Sequence, residues 1–162
     1  MTMNKFMLID ALCIAHDRGI DRTIILSLSL PESKGTAEIE IHISPNWKLY
    51  PPRVLCKEPW IKRDIDWHIY SDGRLCYIYD GEWIDQVQSV RGMNEQDRLL
   101  YPSSLLFLNV TYLLDRHCLS EQLGITEWTW PARPHGKEKA EREYRCQLKK
   151  NQPQRPKAQA GA

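Results

Sequence analysis

No two cysteines of this chain stand at Cys-x-x-Cys spacing, no apolar run reaches the length that crosses a bilayer, and no Gly-x-Gly-x-x-Gly segment is present. Each absence excludes a class of function. The first removes the common zinc knuckles, and Cys13-x-x-His16 falls where an amphipathic helix buries the cysteine, so no metal site is expected. The second removes a membrane span, and the first residues lack the charged and then apolar pattern of a secretory leader. The third means that the chain does not itself adenylate a substrate, and no cofactor is expected. The five cysteines (Cys13, Cys56, Cys76, Cys118 and Cys146) are odd in number and widely spaced. They read as reduced thiols of a cytoplasmic protein rather than as a disulfide framework. No internal repeat is visible.

The 162 residues are enough for one domain with a core that needs no covalent staples. That domain is expected over 1–150, with a disordered tail over 151–162, where Pro, Gln, Lys and Ala dominate. Charge is unevenly spread. Residues 1–132 hold 13 Lys+Arg against 18 Asp+Glu, whereas residues 133–162 hold 9 against 3. The basic ending reads either as a docking tail with a mild attraction to nucleic acid or as a solvated helix and frayed terminus; nucleic acid is not the expected partner.

Hydrophobic periodicity sets the order of elements. Asn4 is placed to cap a helix over about Lys5–Arg18, with Phe6, Ile9, Leu12 and Cys13 on its buried face and Gly19 as its stop. Ile24, Leu26, Leu28 and Leu30 then alternate with Ile25, Ser27 and Ser29, and after the short Pro31–Gly35 connection Ile39, Ile41 and Ile43 alternate with Glu38, Glu40 and His42. This predicts two antiparallel strands with one buried face each, and puts His42 on the solvent side. Pro51-Pro52 stiffens the approach to a third strand over Arg53–Glu58, in which Cys56 is a small buried hydrophobe. Ile84 to Arg98 reads as irregular or loosely helical. A helix apolar on nearly every side is predicted from Pro102-Ser103-Ser104 to the charged end Asp115-Arg116-His117, with Cys118 at its exit. Gly124 to Gly136, with Trp128 and Trp130, makes a stiff aromatic loop, either a cap over the core or a wall beside Cys76. Lys137 to Lys150 reads as a last helix. Strands followed by helices indicate an α+β domain with an antiparallel sheet.

One stretch between the strands and the apolar helix stands out. It runs from Asp66 to Trp83. Asp72-Gly73 is a turn signal that delivers the chain into Leu75-Cys76-Tyr77-Ile78-Tyr79, and Asp80-Gly81 reads as a second turn that closes it. A cysteine on a pinned loop, with His68 upstream and Trp83 downstream, is rigidly placed and reachable by a large partner. Cys76 is therefore the candidate nucleophile, although a lone cysteine also suits an inert core position.

This order, the Tyr50-Pro51-Pro52 approach to the third strand and the segment His68, Gly73-Arg74-Leu75-Cys76 and Trp83 resemble the ubiquitin-conjugating enzyme fold over roughly residues 3–118. The resemblance implies a thioester on Cys76, with the family's signature histidine at His68 and its downstream tryptophan at Trp83. Where the family reads His-Pro-Asn, this chain reads His68-Ile69-Tyr70. The asparagine that steadies the oxyanion is absent from its place, and Tyr70 or a backbone N–H is the expected substitute, a role that is worth about 3 kcal/mol. His68 orients the loop, donates a hydrogen bond or simply packs it. Beyond residue 118, Trp130-Pro131, His135-Gly136 and the basic ending look like bacterial members of the superfamily found in anti-phage CBASS operons. That implies a client protein with an activated C-terminus, either a cGAS-like nucleotidyltransferase or a ubiquitin-like protein, and a separate activating enzyme. A non-catalytic binding module of the same fold is the alternative.

Overall fold

A computed structural model describes residues 3–90 and 92–130. The last predicted helix, Cys146 and the tail over 151–162 lie outside these residues. Within them the chain is α+β: helix α1 (Met3–Arg18), strands β1 (Arg22–Ser29), β2 (Thr36–Ile43) and β3 (Arg53–Cys56), a single 3-10 turn (Ile65–Trp67), then helices α2 (Asp80–Ser89) and α3 (Glu95–Leu123). The strands form an antiparallel meander in the order β1-β2-β3.

Register shows why the alternation was readable. Leu26 faces Ile39 and Ile39 faces Cys56, while Ile24 faces Ile41 and Ile41 faces Val54, so two apolar rows cross the sheet on one face. Helix α1 covers this face with Leu8, Ala11, Leu12 and Ala15. That stripe differs from the expected one. Phe6 is 58% exposed and Cys13 only half-buried, because the buried face of the helix runs through Leu8, Ala11, Leu12 and Ala15. Asn4 lies inside the helix rather than capping it, and its amide donates to the Ser27 carbonyl at 2.9 Å.

Two buried indoles tie the elements together. Trp47 donates to the Leu12 carbonyl at 2.9 Å, and Trp83 of α2 donates to the Trp47 carbonyl at 2.5 Å. Burying an aromatic ring with its N–H satisfied combines a large apolar area with no orphaned donor. Helix α2 begins at Asp80, where the sequence suggested a turn; Asp80 and Glu82 favour the positive end of the helix dipole.

Helix α3 is longer at both ends than predicted. Asn94 caps it by accepting from the Asp97 N–H at 2.9 Å, and Pro102 is accommodated in its interior, where Ser103 donates its hydroxyl to the Leu99 carbonyl. The buried stripe Ser103, Leu106, Val110, Leu113, His117 and Ser120 keeps helical spacing through the charged triplet, while Leu108 on the other side is 61% exposed. Asp115 does not end the helix; its carboxylate accepts the Glu32 and Ser33 N–H groups at 2.9 and 2.8 Å, fastening the β1–β2 turn to α3. Cys118 lies within the helix against that turn, so close that a Cβ on Gly35 would sit 2.9 Å from its Sγ. The third strand is also shorter than expected and stops at Cys56. No helix among the described residues is long and apolar enough to cross a membrane.

Candidate functional site

The Cys76 stretch is a small hairpin hung on the free edge of β3. Leu75 donates its N–H to the Val54 carbonyl at 2.9 Å, and single bridges pair Leu55 with Arg74 and Ile69 with Leu75. Tyr70 donates to the Arg74 carbonyl at 2.8 Å, and Gly73 donates to the Tyr70 carbonyl at 2.9 Å, closing the turn. Gly73 takes φ +91°, which a side chain resists, and a Cβ there would also lie 3.1 Å from the Arg63 guanidinium. Asp72 holds the turn from within, accepting from the Arg74 N–H at 3.0 Å and pairing with the Arg74 side chain at 3.0 Å.

His68 shapes this hairpin through its backbone. It follows the 3-10 turn, which Asp64 caps, in a left-handed conformation (φ 60°, ψ 34°) that histidine adopts more readily than most side chains. The reversal aims its carbonyl at Cys76, whose N–H donates to it at 2.7 Å. The ring packs edge-on against Trp128, centroids 4.9 Å apart, and is buried. Trp128 therefore backs the loop through His68 while also capping Trp67 and His117.

Cys76 is fully buried, against the expectation of a reachable thiol. It sits with Tyr70 in an apolar cluster separate from the main core, with half-buried Ile65 beside them. Arg74 lies over the Tyr70 ring at 4.6 Å, so the ion pair with Asp72 fixes the guanidinium and the guanidinium fixes the ring. Gly73 and Tyr70 are thus brought to Cys76, as is the His68 carbonyl. Trp83 is not; it belongs to the main core and steadies α2. Backbone donors near the thiol are largely committed: the N–H groups of Tyr70, Gly73, Arg74, Leu75 and Cys76 all have acceptors. A backbone oxyanion donor from those five positions requires one of these bonds to open.

His117 was missed in the sequence. It is buried on α3, and its Nε2 stands 2.8 Å from the Trp67 carbonyl, so that nitrogen carries the proton. Nδ1 is left to accept the Lys62 N–H at 3.4 Å. Burial, with Lys62 nearby, lowers its pKa from 6.5 to about 4, so the ring is neutral and props up the segment leading into the hairpin. Its signal was the spacing of the α3 stripe, which the flanking charges obscured. Tyr77, just after Cys76, donates its hydroxyl to the Pro52 carbonyl at 2.5 Å, and burial pushes its phenol well above the usual range. Among the described residues no group of three or more His, Cys, Asp or Glu is arranged to hold a metal ion.

Comparison with protein-family models, with curated proteins and with solved structures returns no match.

Proposed function

We propose that this chain has the ubiquitin-conjugating-enzyme-like fold and transfers an acyl group through a thioester on Cys76. The carrying observation is the pinned hairpin: Gly73 turns the chain, His68 holds the Cys76 N–H, and β3 holds Leu75. The cysteine so placed follows the Gly-x-x-Cys step whose resemblance suggested the chemistry. In the first step the Cys76 thiolate attacks the C-terminal carbonyl of a client already activated as a thioester on a separate enzyme; the new S–C bond forms as the old thiolate leaves. In the second, a lysine amine attacks that carbonyl, the S–C bond breaks, the amine proton passes to solvent or a base, and the Cys76 thiolate is regenerated. The client is a cGAS-like nucleotidyltransferase or ubiquitin-like protein of bacterial anti-phage defence, and the setting is cytoplasmic. The burial of Cys76 means that transfer requires the small cluster of Tyr70, Ile65 and the thiol to open.

That same burial favours a second reading, a non-catalytic binding module of this fold in which Cys76 only packs the hairpin. Intact mass under non-reducing conditions, after co-expression with neighbouring genes, separates the two. Acyl transfer gives a protein-sized adduct that is lost on adding thiol and is absent from Cys76→Ala. A client that co-purifies without any adduct on wild type establishes the binding module instead.

A further inference from the structure

Among the described residues only two that are not glycine take a positive φ, Lys34 and His68. Lys34 lies exposed in the β1–β2 turn, whereas His68 is buried and stands at the entry to the hairpin. The left-handed region costs a side chain energy, so a buried histidine stays there only while its surroundings hold it. Its N–H donates to the Ile65 carbonyl at 3.0 Å, its carbonyl accepts the Cys76 N–H at 2.7 Å, and its ring lies edge-on to Trp128. Rotation about φ carries the side chain with it, so His68 returns to a negative φ only by dragging its ring away from the indole. The segment that carries Trp128 is itself tied down: Trp130 donates to the Ser120 hydroxyl at 2.8 Å, and Lys62 donates to the Ile125 carbonyl at 3.1 Å. Trp128 is held by a narrow margin. Its Nε1–H is buried with no acceptor among the described residues, and on leaving it gains a hydrogen bond to water.

We propose that His68 is a positioning hinge with Trp128 as its latch, and that release swings the His68 carbonyl off the Cys76 N–H, which then holds the oxyanion formed during acyl transfer. This rests on the acyl-transfer reading and names the donor that serves in place of the absent asparagine. A nucleophile's own N–H suits the role, because the carbonyl under attack is bonded to the side chain of the same residue. The bond from Cys76 to His68 flanks the Ile69–Leu75 bridge on one side, and the bond from Tyr70 to Arg74 flanks it on the other. The first can open while the second, with the Leu75 bond to Val54, keeps the hairpin closed and on the sheet. The same movement loosens Cys76 from Tyr70 and Ile65, so thiol and donor are presented together.

The test uses the full chain. Exchange of the Cys76 amide hydrogen, read by NMR, quickens about tenfold in Trp128→Ala while the amides of β2 keep their rates. Trp128→Phe, whose ring still meets His68, stays within about twofold of wild type. His68→Gly accepts φ 60° without a ring to latch, gives the same quickening, and serves where Trp128→Ala disturbs the core. An unchanged Cys76 amide, or equal quickening throughout β2 in both variants, overturns the proposal. Two reagents then separate access from oxyanion support, each scored at Cys76 by peptide mass mapping. Iodoacetamide alkylates the thiolate by displacing iodide and forms no oxyanion, whereas acetyl-glycyl-glycine benzyl thioester passes through one before benzyl thiolate leaves. Tyr70→Ala uncovers the thiol and keeps the His68 carbonyl in place, so the ratio of acylation to alkylation is about tenfold higher in Trp128→Ala than in Tyr70→Ala. Equal ratios overturn the proposal. Adding Tyr70→Phe to Trp128→Ala discriminates the donors: a ratio that stays high leaves the Cys76 N–H in the role, and one that falls to the Tyr70→Ala value assigns it to the tyrosine hydroxyl and overturns the proposal. The protein-sized adduct is scored separately. Its absence from wild type, with the ratios as expected, removes the client and leaves the hinge standing; its presence with equal ratios overturns the hinge and leaves the thioester.

Discussion

Cys56 and Cys76 are both buried thiols, and they differ in what buries them. Cys56 lies in the main core opposite Ile39, and desolvation chiefly pushes its pKa up to about 11. Cys76 is even less exposed, 0% against 7%, yet its cover is a small separate cluster with Tyr70 and Ile65. The two thiols thus belong to different packing units, so a local opening of the hairpin exposes Cys76 while the sheet's core stays in place.

The contrast between the two thiols disappears when the main core itself loosens. Trp83→Ala deletes a fully buried indole and its bond to the Trp47 carbonyl, and should cost about 4 kcal/mol, read as a lower urea midpoint. The hairpin alone cannot restore this, so both thiols become reactive together. A smaller effect comes from pH. His117 titrates at 6.5 when unfolded and about 4 when folded, so the unfolded chain binds the extra proton between those values. Its stabilising contribution is complete above pH 6.5 and is lost as pH falls towards 4, in all about 3 kcal/mol. Urea midpoints measured across that range should fall for wild type and fall less for His117→Gln. A midpoint that is flat in wild type contradicts the buried neutral ring. The sharpest and smallest change is Tyr70→Ala, which should raise iodoacetamide labelling of Cys76 by about tenfold while Cys56 stays slow, followed by peptide mass mapping. Equal labelling of Cys76 in both proteins would place its cover elsewhere.

The strands were legible because one face of each is buried, and a period of two survives any local accident. The first helix was legible as a helix but not in its facing, since small Ala11 and Ala15 make the contact that Phe6 and Cys13 were expected to make. Helix α2 was hidden by its polarity and by Gly81. In α3, Pro102 looked like a beginning and Asp115 like an end. The helix runs on through Pro102, and a buried carboxylate is tolerated where two N–H groups await it. At the site, the turn and the cysteine could be read from Asp72-Gly73 and its setting. The burial of Cys76, the backbone role of His68 and the removal of Trp83 to the main core depend on contacts between distant segments, which no local pattern encodes.

The approach of Gly35 to Cys118 has a consequence for the chemistry of that sulfur. On the side that faces Gly35 there is no room for a methyl group, so an added oxygen or an alkyl label on Cys118 must point away from the β1–β2 turn or push that turn off α3. A probe carried on this sulfur therefore senses how closely the turn rests on the helix.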